Sequence, residues 1–177
     1  MGSVKDDADI IPSQCVTQWR DYIGDCLGRE PRGLRDIAAW TGEGKPAVIQ
    51  VAALVDNRPF PTVFWLIDPD LTLAIDRFEA VGTIAALQNS VDASEETQRA
   101  MQCDHERHKA RRAAMMTPSE KRRLEDSGMM RALDSRGIGG IEDPTRIRCL
   151  HAWYAAHCVV PNTIGVWVDE LLSETRP

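Results

Sequence analysis

Between Arg136 and His157 the chain gathers the residue types that do chemistry: Gly137-Ile138-Gly139-Gly140, three arginines at 136, 146 and 148, the pair Cys149 and His151, and His157-Cys158. A thiol two residues from an imidazole is either part of a metal site or an activated nucleophile. The thiolate is the form that both binds metals and attacks carbon, and nearby cations and a helix start favour it. Cys149 and His151 are therefore the candidate catalytic pair. Glycines let backbone N–H groups approach an anion, so Gly139 and Gly140 with Arg77, Arg136 and Arg148 form a candidate anion or phosphate site, which Arg29 and Arg32 could extend. The glycine run lacks the lysine and the spacing of a P-loop, and its plain alternative is a tight turn with positive φ.

Each of these has a structural alternative. A lone cysteine is more often a small buried apolar group than a nucleophile. Cys149 and His151 would point to different sides of a regular helix, so they converge only if Cys149 lies in the loop entering the helix or in its first turn. A second feature is the basic stretch from Arg99 to Arg123, which holds Arg107, Lys109, Arg111, Arg112, Lys121 and Arg122 against only Asp104, Glu106 and Glu120. It could dock an acidic protein partner or follow a nucleic-acid backbone, or it could be a solvated helix face. It contains no aromatic residue to stack a base, and the net charge of −6 argues against a general nucleic-acid binder. Cys103, His105 and His108 within it read as surface residues.

The elements that must position these groups follow from periodicity. Val16, Trp19, Tyr22, Ile23 and Leu27 recur at helical spacing and Gly28 stops the helix. Leu34–Trp40, Ala47–Val55 and Thr62–Ile67 are β-rich runs with short connections, which predicts a three-stranded antiparallel meander. Asp68-Pro69 starts a helix with Leu71, Ala74, Ile75 and Phe78 on its inner face. Ile84 to Val91 reads as a turn or short helix. A helix-favouring stretch from Ala93 to Met116 restarts at Thr117-Pro118-Ser119-Glu120, a capping box, which makes a long charged helical hairpin. Arg146–Cys158 is a further helix candidate, and Ile164, Trp167, Val168, Leu171 and Leu172 make the last.

Composition bounds the class. With 177 residues, 43% hydrophobic and 27% charged, the chain is long enough for one α+β domain over residues 14–177, behind a flexible leader over residues 1–13. No apolar run is long enough for a bilayer span, and the acidic start does not read as a signal peptide, so a cytoplasmic protein with no membrane partner is expected. Five scattered cysteines without a CxxC pair read as thiols.

Five blocks in order carry a resemblance: Gly28-Arg29-Glu30-Pro31-Arg32-Gly33, Arg58-Pro59-Phe60-Pro61-Thr62-Val63-Phe64-Trp65-Leu66, Asp76-Arg77-Phe78-Glu79-Ala80, Gly137-Ile138-Gly139-Gly140, and Arg148-Cys149-Leu150-His151-Ala152, with a further stretch from Asn162 to Gly165. On these the chain resembles the bacterial family catalogued as domain of unknown function 501. The resemblance implies a small cytoplasmic bacterial protein and brings no activity with it. It also implies that the position of Asp68 is often cysteine or histidine. That exchange makes sense for metal ligands and points to Asp68, Cys149 and His151 as a set for zinc or iron. A histidine commonly stands seven residues after the family's cysteine; here that position is Ala156, with His157 one later.

Two functions are consistent with these residues. One is a metal- or anion-binding enzyme acting on an anionic small molecule, with a Cys/His/Asp site in which Asp68 completes the ligands or orients His151. The other is a noncatalytic interaction protein that binds an acidic partner through the basic hairpin, with the Cys-His segment as core.

Overall fold

The computed structural model describes residues 14–175. The leader expected over residues 1–13 lies outside the described residues. Helix α1 (Gln14–Leu27) ends where Gly28 turns to φ 65°. Strands β1 (Leu34–Trp40) and β2 (Pro46–Val51) pair antiparallel. A small ribbon of β3 (Leu54–Val55) and β4 (Arg58–Pro59) follows, and then β5 (Phe64–Leu66) pairs antiparallel with β2. The sheet order β1-β2-β5 is the expected meander with the ribbon inserted before its last strand. That ribbon closes through Asp56 and Asn57, both at positive φ (49° and 59°), the signature of a two-residue hairpin turn that Asp and Asn tolerate.

The rest is helical: α2 (Pro69–Ala80), α3 (Thr83–Asp92), α4 (Glu95–Met115), α5 (Pro118–Asp126), α6 (Met130–Asp134), one 3₁₀ turn (Ile138–Gly140), α7 (Leu150–His157) and α8 (Thr163–Glu174). This is an α+β chain. Among the described residues no helix is long and apolar enough to cross a membrane.

Strand alternation divides the interior. Val48 and Phe64 turn to one side, into a core with Ile75, Met101, Leu150, Trp153 and Ile164. Ile49 and Ile67 turn to the other, against Val16 and Ile23 of α1. The sheet is thus a middle layer between α1 and the main helical body.

Helix α4 carries the largest departure from its sequence pattern. It lies against α3 and α8, and its buried residues are Met101, Asp104, His105, His108 and Arg112. That is a stripe at helical spacing built almost wholly from polar residues. His105 and His108, expected at the surface, are 1% and 7% exposed, while Cys103 is exposed as expected.

The stripe is tolerated because most of its polar groups, though not Nε2 of His105 or His108, find hydrogen-bond partners. Arg112, 1% exposed, donates to the carbonyls of Pro61 (3.1 Å), Leu133 (2.7 Å) and Arg136 (2.8 Å). His105 Nδ1 accepts the Ile138 N–H at 2.9 Å, and Asp104 accepts the Thr163 N–H at 2.8 Å. Arg112 is therefore absent from the basic surface expected of a hairpin and ties three chain segments together inside.

The expected capping box is present. Thr117 Oγ1 accepts the Glu120 N–H (3.1 Å) and Glu120 Oε2 accepts the Thr117 N–H (2.9 Å), while the other Glu120 oxygen meets Arg35 of β1 at 2.6 Å.

Two predictions follow from α4. Arg112→Met, similar in bulk, should destabilise the protein by about 3 kcal/mol in urea unfolding, since three buried carbonyls lose their donor. An effect within error of zero would contradict the role given to the guanidinium. Burial, and then the charges of Lys109 and Arg112 respectively, push His105 and His108 down to about 4 from 6.5. The folded state keeps both neutral while the unfolded chain protonates them, so stability should hold above pH 6.5 and fall as pH drops toward 4. A pH series on the wild type and His108→Gln should show a shallower acid loss in the variant.

Candidate functional site

The segment before α7 explains how Cys149 and His151 meet. Helix was expected from Arg146, but it begins at Leu150. Gln88 of α3 holds the preceding chain out of helix: its Oε1 accepts the Ile147 N–H (2.9 Å) and its Nε2 donates to the Thr145 carbonyl (2.9 Å). Those two bonds satisfy backbone groups that helix would otherwise have used. Cys149 is consequently the extended residue at the N-cap (φ −156°, ψ 121°), and its side chain makes no capping bond. This placement brings Cys149 Sγ to 3.9 Å from His151 Nδ1.

A carboxylate absent from the sequence-derived set completes the cluster. Glu79, near the end of α2, places Oε1 3.4 Å from His151 Nδ1 and accepts the Leu150 N–H at 2.6 Å. It thus caps α7 from a neighbouring helix. Glu79, Cys149 and His151 each offer one ligand atom, all within 4.8 Å of one another. On the far side of the ring, His151 Nε2 faces the Thr72 carbonyl (3.3 Å) and Asp76 Oδ1 (3.3 Å). Thr72, Asp76 and Glu79 recur every three or four residues, so α2 presents one polar edge to α7. That spacing was the available signal. It was hidden because Asp76 and Glu79 sit among ordinary solvent-facing helix residues.

Asp68 stands elsewhere in role. It is the N-cap of α2, its Oδ1 accepting the Leu71 N–H at 2.8 Å, and it is not part of the three-residue cluster. The candidate anion residues divide. The glycine loop spends three of its N–H groups internally: Gly137 on Ile141 O (2.8 Å), Ile138 on His105 and Gly140 on Gly137 O (3.1 Å). A Cβ at Gly137 would overlap the His105 ring. Gly139 and Gly140 do adopt the positive φ expected of a tight turn (69° and 70°). Arg136 donates to Gly140 O (3.2 Å) and pairs with Glu142 (3.1 Å). Arg77 and Arg148, each close in sequence to a cluster residue, are exposed with no ion-pair partner among the described residues.

The electrostatics suit a cation. The His151 imidazole is pushed up to about 9, first by its hydrogen bond to Cys149, then by the charges of Cys149 and Glu79, with burial opposing. The thiol and carboxylate beside this imidazole are also residue types that hold metal ions.

An α+β chain with a Cys/His/Glu cluster where two helices meet is the class these features define. The chain belongs to the DUF501 family: the model of that family, described as a protein of unknown function, matches residues 37–170. No curated protein and no solved structure matches it.

By NMR titration of metal-free protein, the His151 ring should keep its proton to a pH of about 9 and titrate closer to 6.5 in Cys149→Ser. A wild-type midpoint near 6.5 would mean that the thiol and imidazole do not interact.

Proposed function

We infer that the protein binds a transition-metal ion through Glu79, Cys149 and His151 and acts as a metal-dependent enzyme. The observation that carries this is the spacing of the ligand atoms. Around a tetrahedral zinc ion, bonds of about 2.3 Å to sulfur and about 2.0–2.2 Å to nitrogen and oxygen set neighbouring ligand atoms about 3.3–3.6 Å apart. The separations here are 3.4 Å for carboxylate to imidazole and 3.9 Å for thiol to imidazole.

The surroundings support the same reading. Metal-binding histidines usually donate the other ring N–H to a carboxylate or carbonyl, and His151 Nε2 has Asp76 and the Thr72 carbonyl in that position. A thiolate and a carboxylate together match the charge of a divalent ion. Zinc or iron fits this donor set, in which sulfur favours a soft to borderline metal.

Three protein ligands leave a coordination position for water or substrate, the arrangement of catalytic zinc sites. A metal there supplies Lewis acidity and lowers the pKa of bound water. The chain's own residues would do the rest: Asp76 and Thr72 fix the imidazole, and Arg77 and Arg148 attract an anionic small-molecule substrate.

A second reading keeps Cys149 as a nucleophile with His151 as its partner, favoured by their contact and by the adjoining helix start. The interaction-protein reading is weakened at its centre. Arg112 is buried, Arg107 pairs with Asp104, and Lys109 lies 2.8 Å from Glu106.

Elemental analysis of protein prepared without a histidine tag and without air tests the metal. Near-stoichiometric zinc or iron is expected in the wild type, lost in still-folded Cys149→Ser and Glu79→Gln, and retained in Asp68→Ser, which preserves a helix cap. A folded wild type that holds no metal after incubation with zinc and dialysis overturns the reading. Rapid alkylation of Cys149 in that metal-free protein would then favour the nucleophile.

A further inference from the structure

On the α1 side of the sheet, away from the Cys149 cluster, lies a cavity of about 450 Å³ lined by Arg29, Arg32, Asp56, Arg58, Phe60 and Trp65. Trp65 follows Phe64 in β5, so strand alternation turns it from the main core toward α1. The Arg29 guanidinium sits 4.9 Å from the Trp65 ring centroid, and the Phe60 ring is 5.5 Å from that of Trp65. Arg32 meets Asp56 at 3.3 Å, and both remain largely exposed. Among the described residues Arg29 and Arg58 have no carboxylate partner. Among the lining residues three guanidiniums thus face one carboxylate, an excess of two positive charges, while the nearby Glu30 is paired with Arg20.

The backbone that carries these side chains is held in place. The loop with Arg29 and Arg32 is bounded by Gly28 and Gly33, both at positive φ (65° and 69°). A Cβ on Gly33 would come within 2.7 Å of Val55 Cγ2, and the Ala52 N–H donates to Gly33 O at 2.8 Å, so the loop is pressed against the β3–β4 ribbon that carries Arg58. Stacking on Trp65 orients Arg29 and leaves its N–H edges available. A guanidinium held in this way binds an oxyanion with little further ordering cost.

We propose that this groove is a binding site for a small organic phosphate monoester, with Arg29, Arg32 and Arg58 on the phosphoryl group and Phe60 and Trp65 against a planar organic part. Charge selects the phosphate: a monoester carries about −1.5 to −2 at neutral pH, matching the excess, whereas a carboxylate carries one charge. Guanidinium forks fit phosphate oxygens in pairs. Size selects an ester over the bare ion, because the cavity is of the order that holds whole small molecules. The proposal does not depend on the metal site.

Adenosine monophosphate, inorganic phosphate and adenosine serve as probes on the full chain, followed through the Trp65 indole N–H resonance, whose donor bonds Thr62 O at 2.8 Å. The monophosphate should shift it saturably and phosphate should do so more weakly, both less as salt rises, while adenosine leaves it unmoved. Arg29→Ala and Arg58→Ala, both at exposed positions, should weaken the monophosphate by about tenfold or more, as expected for a lost charged hydrogen bond. Cys149→Ser should bind it unchanged. Absence of a shift with both phosphates at millimolar concentration overturns the proposal, as does binding indifferent to both arginine substitutions.

Discussion

The structure depends on one buried cation. Arg112 lies inside the protein with no carboxylate at ion-pair distance among the described residues, its N–H groups on the carbonyls of Pro61, Leu133 and Arg136. Those carbonyls belong to the approach to β5, the end of α6 and the entrance to the glycine loop, so a single planar group fixes the path of chain that leads from the sheet to the site. Burial lowers the pKa of Arg112 from its usual value and the charge of Asp134 opposes it; a guanidinium keeps its proton in proteins, and the three carbonyls satisfy its N–H groups. With the neighbouring His105 holding Ile138, α4 acts as a polar spine.

This spine explains what could be read in advance and what could not. The three-strand meander, the Gly28 stop, the Asp68-Pro69 start, the Thr117 capping box and the final amphipathic helix are local effects, written in periodicity or cap chemistry. Helix α4 follows the same period, but with Asp104, His105, His108 and Arg112 where hydrophobes are expected. Charged residues normally mark solvent, and only the partners supplied by distant loops make the inward face possible. The pattern was present; its meaning required the tertiary fold.

The candidate site divides along the same line. Cys149 and His151 are recognisable by type and proximity, and the requirement that the cysteine precede the helix is simple geometry. The residue that enforces it, Gln88, is 57 positions from Thr145, and nothing local announces its bond. Glu79 is similar. It is one acid among several on its helix, whereas Asp68 is set apart by its position beside a strand end and by the family resemblance. A helix cap and a metal ligand draw on the same oxygen chemistry, and the sequence alone does not separate them.

Glu79 also has a consequence for the order in which things happen. It stands 71 positions from Leu150, whose N–H it accepts, so the cluster is a long-range assembly between two helices. An unfolded or half-folded chain contains Cys149 and His151 as a loose pair with the third member far away, and closing that loop costs entropy before any contact repays it. A ligand that needs all three groups therefore recognises the finished protein far better than any precursor. Its binding would deepen the native well, and newly made chains would acquire it last.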